Sequence, residues 1–275
     1  MKKTGLVFIL AALVLSAAAI LLRLLELSTA IDADGLVLFR PVTVILALLS
    51  LAAAVFFFLF ARRYGKNGGP STADYRSLGI PGVVWAVVCL LLQVYGAWLV
   101  FQGWKTEKDV LALILALMAG LAGAGWLFLR LGEWKNVGSA GARFLAGSLV
   151  TLFYGLWLVV YYRDNAANPT LLLTVYDYLA LCACCVAACC ITGGAGGLMK
   201  PVKTLVFCGL ALYLSLVALS GAKTAYRLFW TAAAVQFALS ALMLLNPLDK
   251  PAPAEEEVPA EAETETPAAE ETEGE

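Results

Sequence analysis

Apolar residues occur along the chain in long unbroken blocks, each ended by a few charged or turn-forming positions, and not in single alternation. The blocks fall near residues 5–22, 42–61, 80–101, 110–131, 142–162, 171–192, 202–219 and 226–245. A hydrocarbon core about 30 Å thick takes about 20 helical residues at 1.5 Å each. Lipid offers no partner to open backbone groups, so blocks of this length predict helices, whereas a membrane barrel would show short alternating segments. The expected fold is therefore all-α: a polytopic integral membrane protein with about eight transmembrane helices in residues 1–248. Met1-Lys2-Lys3 and the alanines at 17–19 also suit a signal peptide, but the apolar run continues past them and further spans follow. The first block reads as an uncleaved span.

Composition supports the same class, with 61% hydrophobic residues, 14% charged residues and a mean hydropathy of +0.84. The formal charge of -1 is a cancellation. Residues 1–248 hold 18 of the Lys and Arg against 9 acids, while residues 249–275 hold 11 acids against Lys250. That Pro-, Ala-, Glu- and Thr-rich tail cannot bury enough apolar surface to offset the entropy of ordering, and is expected to be disordered and cytoplasmic. Basic residues also set orientation. With the N-terminus inside, 12 Lys and Arg fall on the inner side and 7 on the outer. Both termini are then cytoplasmic, in a plasma membrane. The largest contribution comes from the loop at residues 62–79, RRYGKNGGPSTADYRSLG. Trp98, Trp104, Trp157, Tyr161, Tyr162, Tyr176, Tyr178, Tyr226 and Trp230 are expected as an outer aromatic belt, and Tyr64, Trp85, Trp126 and Trp134 as an inner one. Arg23 to Pro41, with Glu26, Asp32 and Asp34, reads as an ordered outer loop; Asp32, Asp34 and Asp164 of a later loop are cation candidates by residue type, but no fixed metal-ligand spacing is present and loop solvation is the default.

Similar turns, Gly103-Trp104-Lys105-Thr106 and Gly221-Ala222-Lys223-Thr224, suggest a weak 4+4 repeat, parallel because four crossings return the chain to its starting side. Small residues recur every fourth position at Ala112, Ala116, Gly120 and Ala124 in the fourth span, and at Cys185, Cys189, Gly193 and Gly197 in the sixth. Such rows admit close helix approach, within the bundle or against a protein partner or second copy.

The chain contains no histidine, which excludes Ser-His-Asp, Cys-His and His-metal mechanisms. Five cysteines crowd the sixth span, and Cys182, Cys185 and Cys189 fall on one broad face. They are redox or metal candidates by residue type, but an apolar setting disfavours the thiolate that either chemistry needs, and small soft packing residues are the default. Gly193-Gly194-Ala195-Gly196-Gly197 lacks the Gly-Lys-Ser/Thr of a phosphate loop and reads as a helix end. Asp177 is the acid to examine, because an ionisable side chain within a span is costly and marks function by default. Its standing depends on whether the helix starts at Leu171 or nearer Tyr176, where it would be only interfacial. Gln93 and Gln236 lie deeper and are expected to make interhelical hydrogen bonds. No cofactor, resident metal or nucleic-acid partner is implied; the lipid bilayer is. The leading expectation is a non-catalytic membrane or accessory protein. The alternatives are a secondary transporter of a small or amphipathic solute using Asp177, and a membrane thiol oxidoreductase using the sixth-span cysteines.

Overall fold

A computed structural model describes residues 3–29, 41–65, 69–166 and 171–248, with the side chains of Glu107 and of residues 171–173 left out. Its helices are α1 (Lys3–Thr29), α2 (Pro41–Tyr64), α3 (Gly79–Glu107), α4 (Val110–Lys135), α5 (Ala140–Asn165), α6 (Leu171–Ala195), α7 (Pro201–Ala218) and α8 (Thr224–Leu244). All eight are long and apolar enough to cross a membrane. Leucine, isoleucine and valine side chains stand exposed along α1, α2 and α3, forming the apolar surface that a bilayer would cover. The chain is thus a multi-pass helical membrane protein. Asp32, Asp34 and the tail at 249–275 lie outside the described residues.

The helices overrun the predicted spans because their ends are capped by polar residues beyond the apolar blocks. Lys108 adopts a left-handed conformation (φ 57°) that stops α3, and the side chain of Asp109 then accepts the Leu111 amide to start α4. Asn136 (φ 55°) and Ser139 divide α4 from α5 in the same way, and Pro201 opens α7.

Helices α3, α4, α5, α6, α7 and α8 each pack on the next, and α8 closes back on α3. The middle of this six-helix ring is filled: Trp126 of α4, Phe153, Tyr154 and Trp157 of α5, and Phe229, Trp230 and Phe237 of α8 are all buried. Trp157 and Trp230 lie 4.3 Å apart by ring centroids, and Phe237 meets Trp126 edge-on. Trp126, Trp157 and Trp230 are therefore core residues, not the belt aromatics expected from their positions. Helices α1 and α2 form a hairpin docked on α7 from outside. The contact turns on Gly209, where a Cβ would come within 2.6 Å of Phe57 and 3.0 Å of Phe8. Helix α6 packs on both its sequence neighbours, α5 and α7, whereas α2 packs on α1 and α7 and not along α3, so the neighbour relations of the two halves differ.

The two ends of the bundle differ. At the end where α1 begins, residues 69–78 form a strap around a 3-10 turn, Thr72–Asp74. Ser71 and Asp74 make a reciprocal capping box there, and the buried Tyr75 hydroxyl donates to the Gly69 carbonyl at 3.0 Å. The strap is bonded through its backbone to the end of α8 (Arg76 N to Asn246 O, 3.0 Å; Leu248 N to Asp74 O, 2.9 Å) and to the α6–α7 turn (Met199 N to Pro70 O, 2.9 Å). At the other end, where α1 finishes, lie Asp177 and its neighbours.

Candidate functional site

Because α6 begins at Leu171, Asp177 stands in its second turn, well inside the helix, and is 5% exposed. The Tyr161 hydroxyl of α5 donates to its Oδ2 at 2.7 Å. Its Oδ1 is buried and has no hydrogen-bond partner among the described residues. Tyr161 in turn meets Tyr178 and Tyr226 edge-on, at 5.3 and 6.1 Å between ring centroids. Asp177 lines a cavity of about 250 Å³ together with Tyr161, Asp164, Asn165, Thr174, Lys223 and Tyr226. An adjoining cavity of about 380 Å³ shares Asp164, Lys223 and Tyr226, and adds Asp109 and Arg163.

The charges around these cavities do not balance. Arg163 donates to Asp109 Oδ1 at 2.8 Å, pairs also with Asp109 Oδ2, and reaches Asp164 at 2.7 Å. Three carboxylates, of Asp109, Asp164 and Asp177, thus meet two cations, Arg163 and Lys223. Hydrogen bonding to Arg163 holds the Asp109 carboxyl below the usual carboxylate range, against a smaller opposing effect of burial.

Two buried ion pairs were not anticipated. Arg23 and Glu26, expected in a loop, instead lie on the last turns of α1 and are 3% and 1% exposed. Arg23 pairs with Glu26 and sits 5.0 Å over the Tyr176 ring, next to Asp177. At the opposite end, Arg130 of α4 pairs with Glu133 at 2.8 Å and donates to Ser240 Oγ at 2.5 Å and the Gln236 carbonyl at 3.2 Å, with Trp126 stacked 5.5 Å away. Arg130 is 3% exposed, so it is a core cation and not merely an inner-side topological charge. The signal was present in the sequence: Leu22-Arg23-Leu24-Leu25-Glu26 and Leu129-Arg130-Leu131-Gly132-Glu133 share one Leu-Arg-Leu-x-Glu pattern.

Gln93 and Gln236 are buried near the middles of α3 and α8; Gln236 stands beside the Cys89 thiol of α3, and the Gln93 amide has no hydrogen-bond partner among the described residues. Gln93 Oε1 fits only because position 123 is glycine; a Cβ there would come within 2.6 Å. The structure does not bring Gln93 or Gln236 to the cavity of Asp177.

Of the cysteines, Cys182 and Cys189 are exposed on the apolar surface and Cys185 is half-buried with its sulfur 4.0 Å from the Thr151 carbonyl. Cys184, on the other face, is buried 3.4 Å from Ser215 Oγ. All seven thiols are free, and no cluster suited to a metal ion occurs among the described residues. The small-residue row on α4 is only partly inward. Ala116 is buried and Ala112 half-buried, a Cβ at Gly120 would meet nothing, and Ala124 is exposed. A larger recess of about 480 Å³ lies at the strap end between Arg76, Glu133, Asn136 and Arg143. Its one carboxylate, Glu133, is already engaged by Arg130.

Fold and site together define a multi-pass α-helical membrane protein with a polar, acid-containing cavity at one end of its bundle. No family model, no curated protein and no solved structure matches the chain.

Proposed function

We propose that the chain is a non-enzymatic secondary transporter of a small solute, with the Asp177 cavity as the station where the solute is taken up. The observation that carries this reading is Asp177 itself, an acid 5% exposed with its Oδ1 unpartnered, in the lining of a polar cavity. A buried group left unpaired costs about 1–3 kcal/mol, more when charged, and at Asp177 that cost falls in the lining of a cavity. Acids within spans that face a cavity mark solute and ion pathways.

In this proposal the protein resides in the plasma membrane with the strap end cytoplasmic and the Asp177 cavity outward, as the 12-to-7 distribution of Lys and Arg favours. Single cysteines placed at Val137, exposed in the α4–α5 turn at the strap end, and at Asn165 in a cysteine-free variant test the orientation. The first is expected to react only with reagent inside, the second only with reagent outside, and the reverse pattern overturns it. Transport is tested with liposomes carrying the wild-type chain or Asp177→Asn and offered labelled cationic, zwitterionic, neutral and anionic solutes. Asp177-dependent uptake of at least one is expected. Uptake of all of them no greater than in protein-free liposomes would end the proposal.

A further inference from the structure

The chemistry of the cavity also narrows its occupant, an inference that rests on the transport reading for its biological purpose but not for its test. Arg163 is shared between Asp109 and Asp164, and Arg23 is held by Glu26 on its own helix. Among the described residues, and with Lys223 counted, the two cavities still hold one carboxylate charge more than they hold cations. The excess lies beside Asp177, the most buried of the three acids.

The hydrogen-bonding groups have the same bias. Tyr161 commits its proton to Asp177 Oδ2, so its oxygen presents lone pairs. Asn165 gives one of its two amide N–H groups to the Tyr161 carbonyl at 2.8 Å and keeps its side-chain oxygen as an acceptor. Asp177, Tyr161 and Asn165 thus bring three acceptor-bearing side chains to the lining of one cavity, and a primary ammonium carries three donors. The rings of Tyr161 and Tyr226 supply electron-rich walls of the kind that attract organic cations. A hard metal ion would want six or more oxygens at short range, whereas no metal-holding cluster occurs among the described residues. About 250 Å³ is room for roughly eight waters at 30 Å³ each, enough for an ammonium on a short organic body.

We propose that the Asp177 cavity binds a small primary organic ammonium, with Asp177 as counter-ion, Tyr161 and Asn165 as acceptors, and Lys223 as a like charge at the rim.

The sign of the ligand charge can be read from two variants with opposite expected effects. The full-length chain in lipid nanodiscs is titrated with methylammonium and propylammonium chloride, against sodium chloride and sodium butyrate at equal ionic strength, and the unfolding temperature is followed. Either ammonium is expected to raise it above the sodium chloride control. Asp177→Asn is expected to weaken the response about ten- to a hundredfold in ligand concentration, the range for losing a charged hydrogen bond. Lys223→Gln is expected to leave it unchanged or strengthen it. Tyr161→Phe, which keeps the carboxylate, guards against a folding failure of the first variant and is expected to weaken the response severalfold. A response to butyrate that Lys223→Gln abolishes, or no response to either ammonium, overturns the assignment. Asp177-dependent uptake of a neutral or anionic solute without an ammonium response would end the ligand assignment and leave transport standing. An ammonium response without uptake of any solute would uphold the ligand and end transport.

Discussion

Each end of the bundle carries a buried Arg-x-x-Glu pair, yet the two pairs sit in opposite settings. Arg130 and Glu133, with side chains 2% and 8% exposed, lie against α8, where Arg130 engages Ser240 and the Gln236 carbonyl, and Glu133 borders the recess at the strap end. Arg23 and Glu26 are as deeply buried, but they stand beside Asp177, whose Oδ1 is unpartnered and which lines a cavity. Arg130 thus has its counter-ion and two acceptors on a neighbouring helix, while Asp177 has one tyrosine hydroxyl and lines a cavity whose described carboxylates outnumber its cations. A buried charge bonded across to a neighbouring helix holds the two in register; an acid within a span that borders a cavity is poised for a ligand.

The sharpest way to break this comparison is to remove one charge at each end. Arg130→Met is expected to lower the unfolding free energy by about 3–5 kcal/mol, because Glu133 is left buried without its cation. The double variant Arg130→Met/Glu133→Gln is expected to recover most of that loss, since an absent pair costs far less than a broken one. Asp177→Asn, which removes an uncompensated charge and keeps the shape, is expected to stay within about 1 kcal/mol of wild type. Thermal unfolding of the three variants in a single detergent decides the matter: equal losses at both ends would erase the distinction.

A smaller effect probes the closure of the strap. Asp74→Ala removes half of the capping box around the 3-10 turn, worth about 1 kcal/mol locally. The loss is expected to appear as faster hydrogen exchange at the Arg76 and Leu248 amides and faster tryptic cleavage after Arg76, with the global unfolding temperature almost unchanged. Unaltered exchange at both amides would mean that the bonds to Asn246 and Asp74 hold the strap without its turn.

Span number was legible because a bilayer imposes length, and length is visible in a run of apolar residues. Facing was not, because lipid and protein core are equally apolar and leave no moment to read. Gly120 and Ala124 therefore looked as interior as Ala116, and Trp126, Trp157 and Trp230 looked like belt residues although they fill the ring. On α1 the facing could have been read. Its buried positions are Gly5, Phe8, Ala12, Ser16, Ala19, Arg23 and Glu26, spaced by threes and fours, so the last two continue the inward stripe of the first five. Asp177 was legible by type, but its free oxygen and the tyrosines around it depend on α5, α6 and α8 meeting, which no local pattern specifies.

The smallest effect expected is a pH-dependent one at the rim of the cavity end, where Arg163 ties the end of α5 to the start of α4 through Asp109. The hydrogen bonds from Arg163 depress the Asp109 carboxyl relative to the unfolded chain. A carboxylate held lower in the folded state contributes its stability fully above the ordinary value of about 3.9, and loses it as the pH falls through the depressed one. Asp109→Asn keeps an N-cap but not the charge. Wild type is therefore expected to be slightly the more stable at pH 7 and at pH 5, with the difference closing only below about pH 4. Both partners are partly exposed, so the difference is also expected to shrink in high salt, as the buried Arg130 pair is not. A gap that closed already between pH 5 and 6, or that ignored salt, would show that the rim charges are as enclosed as those of the Arg130 pair.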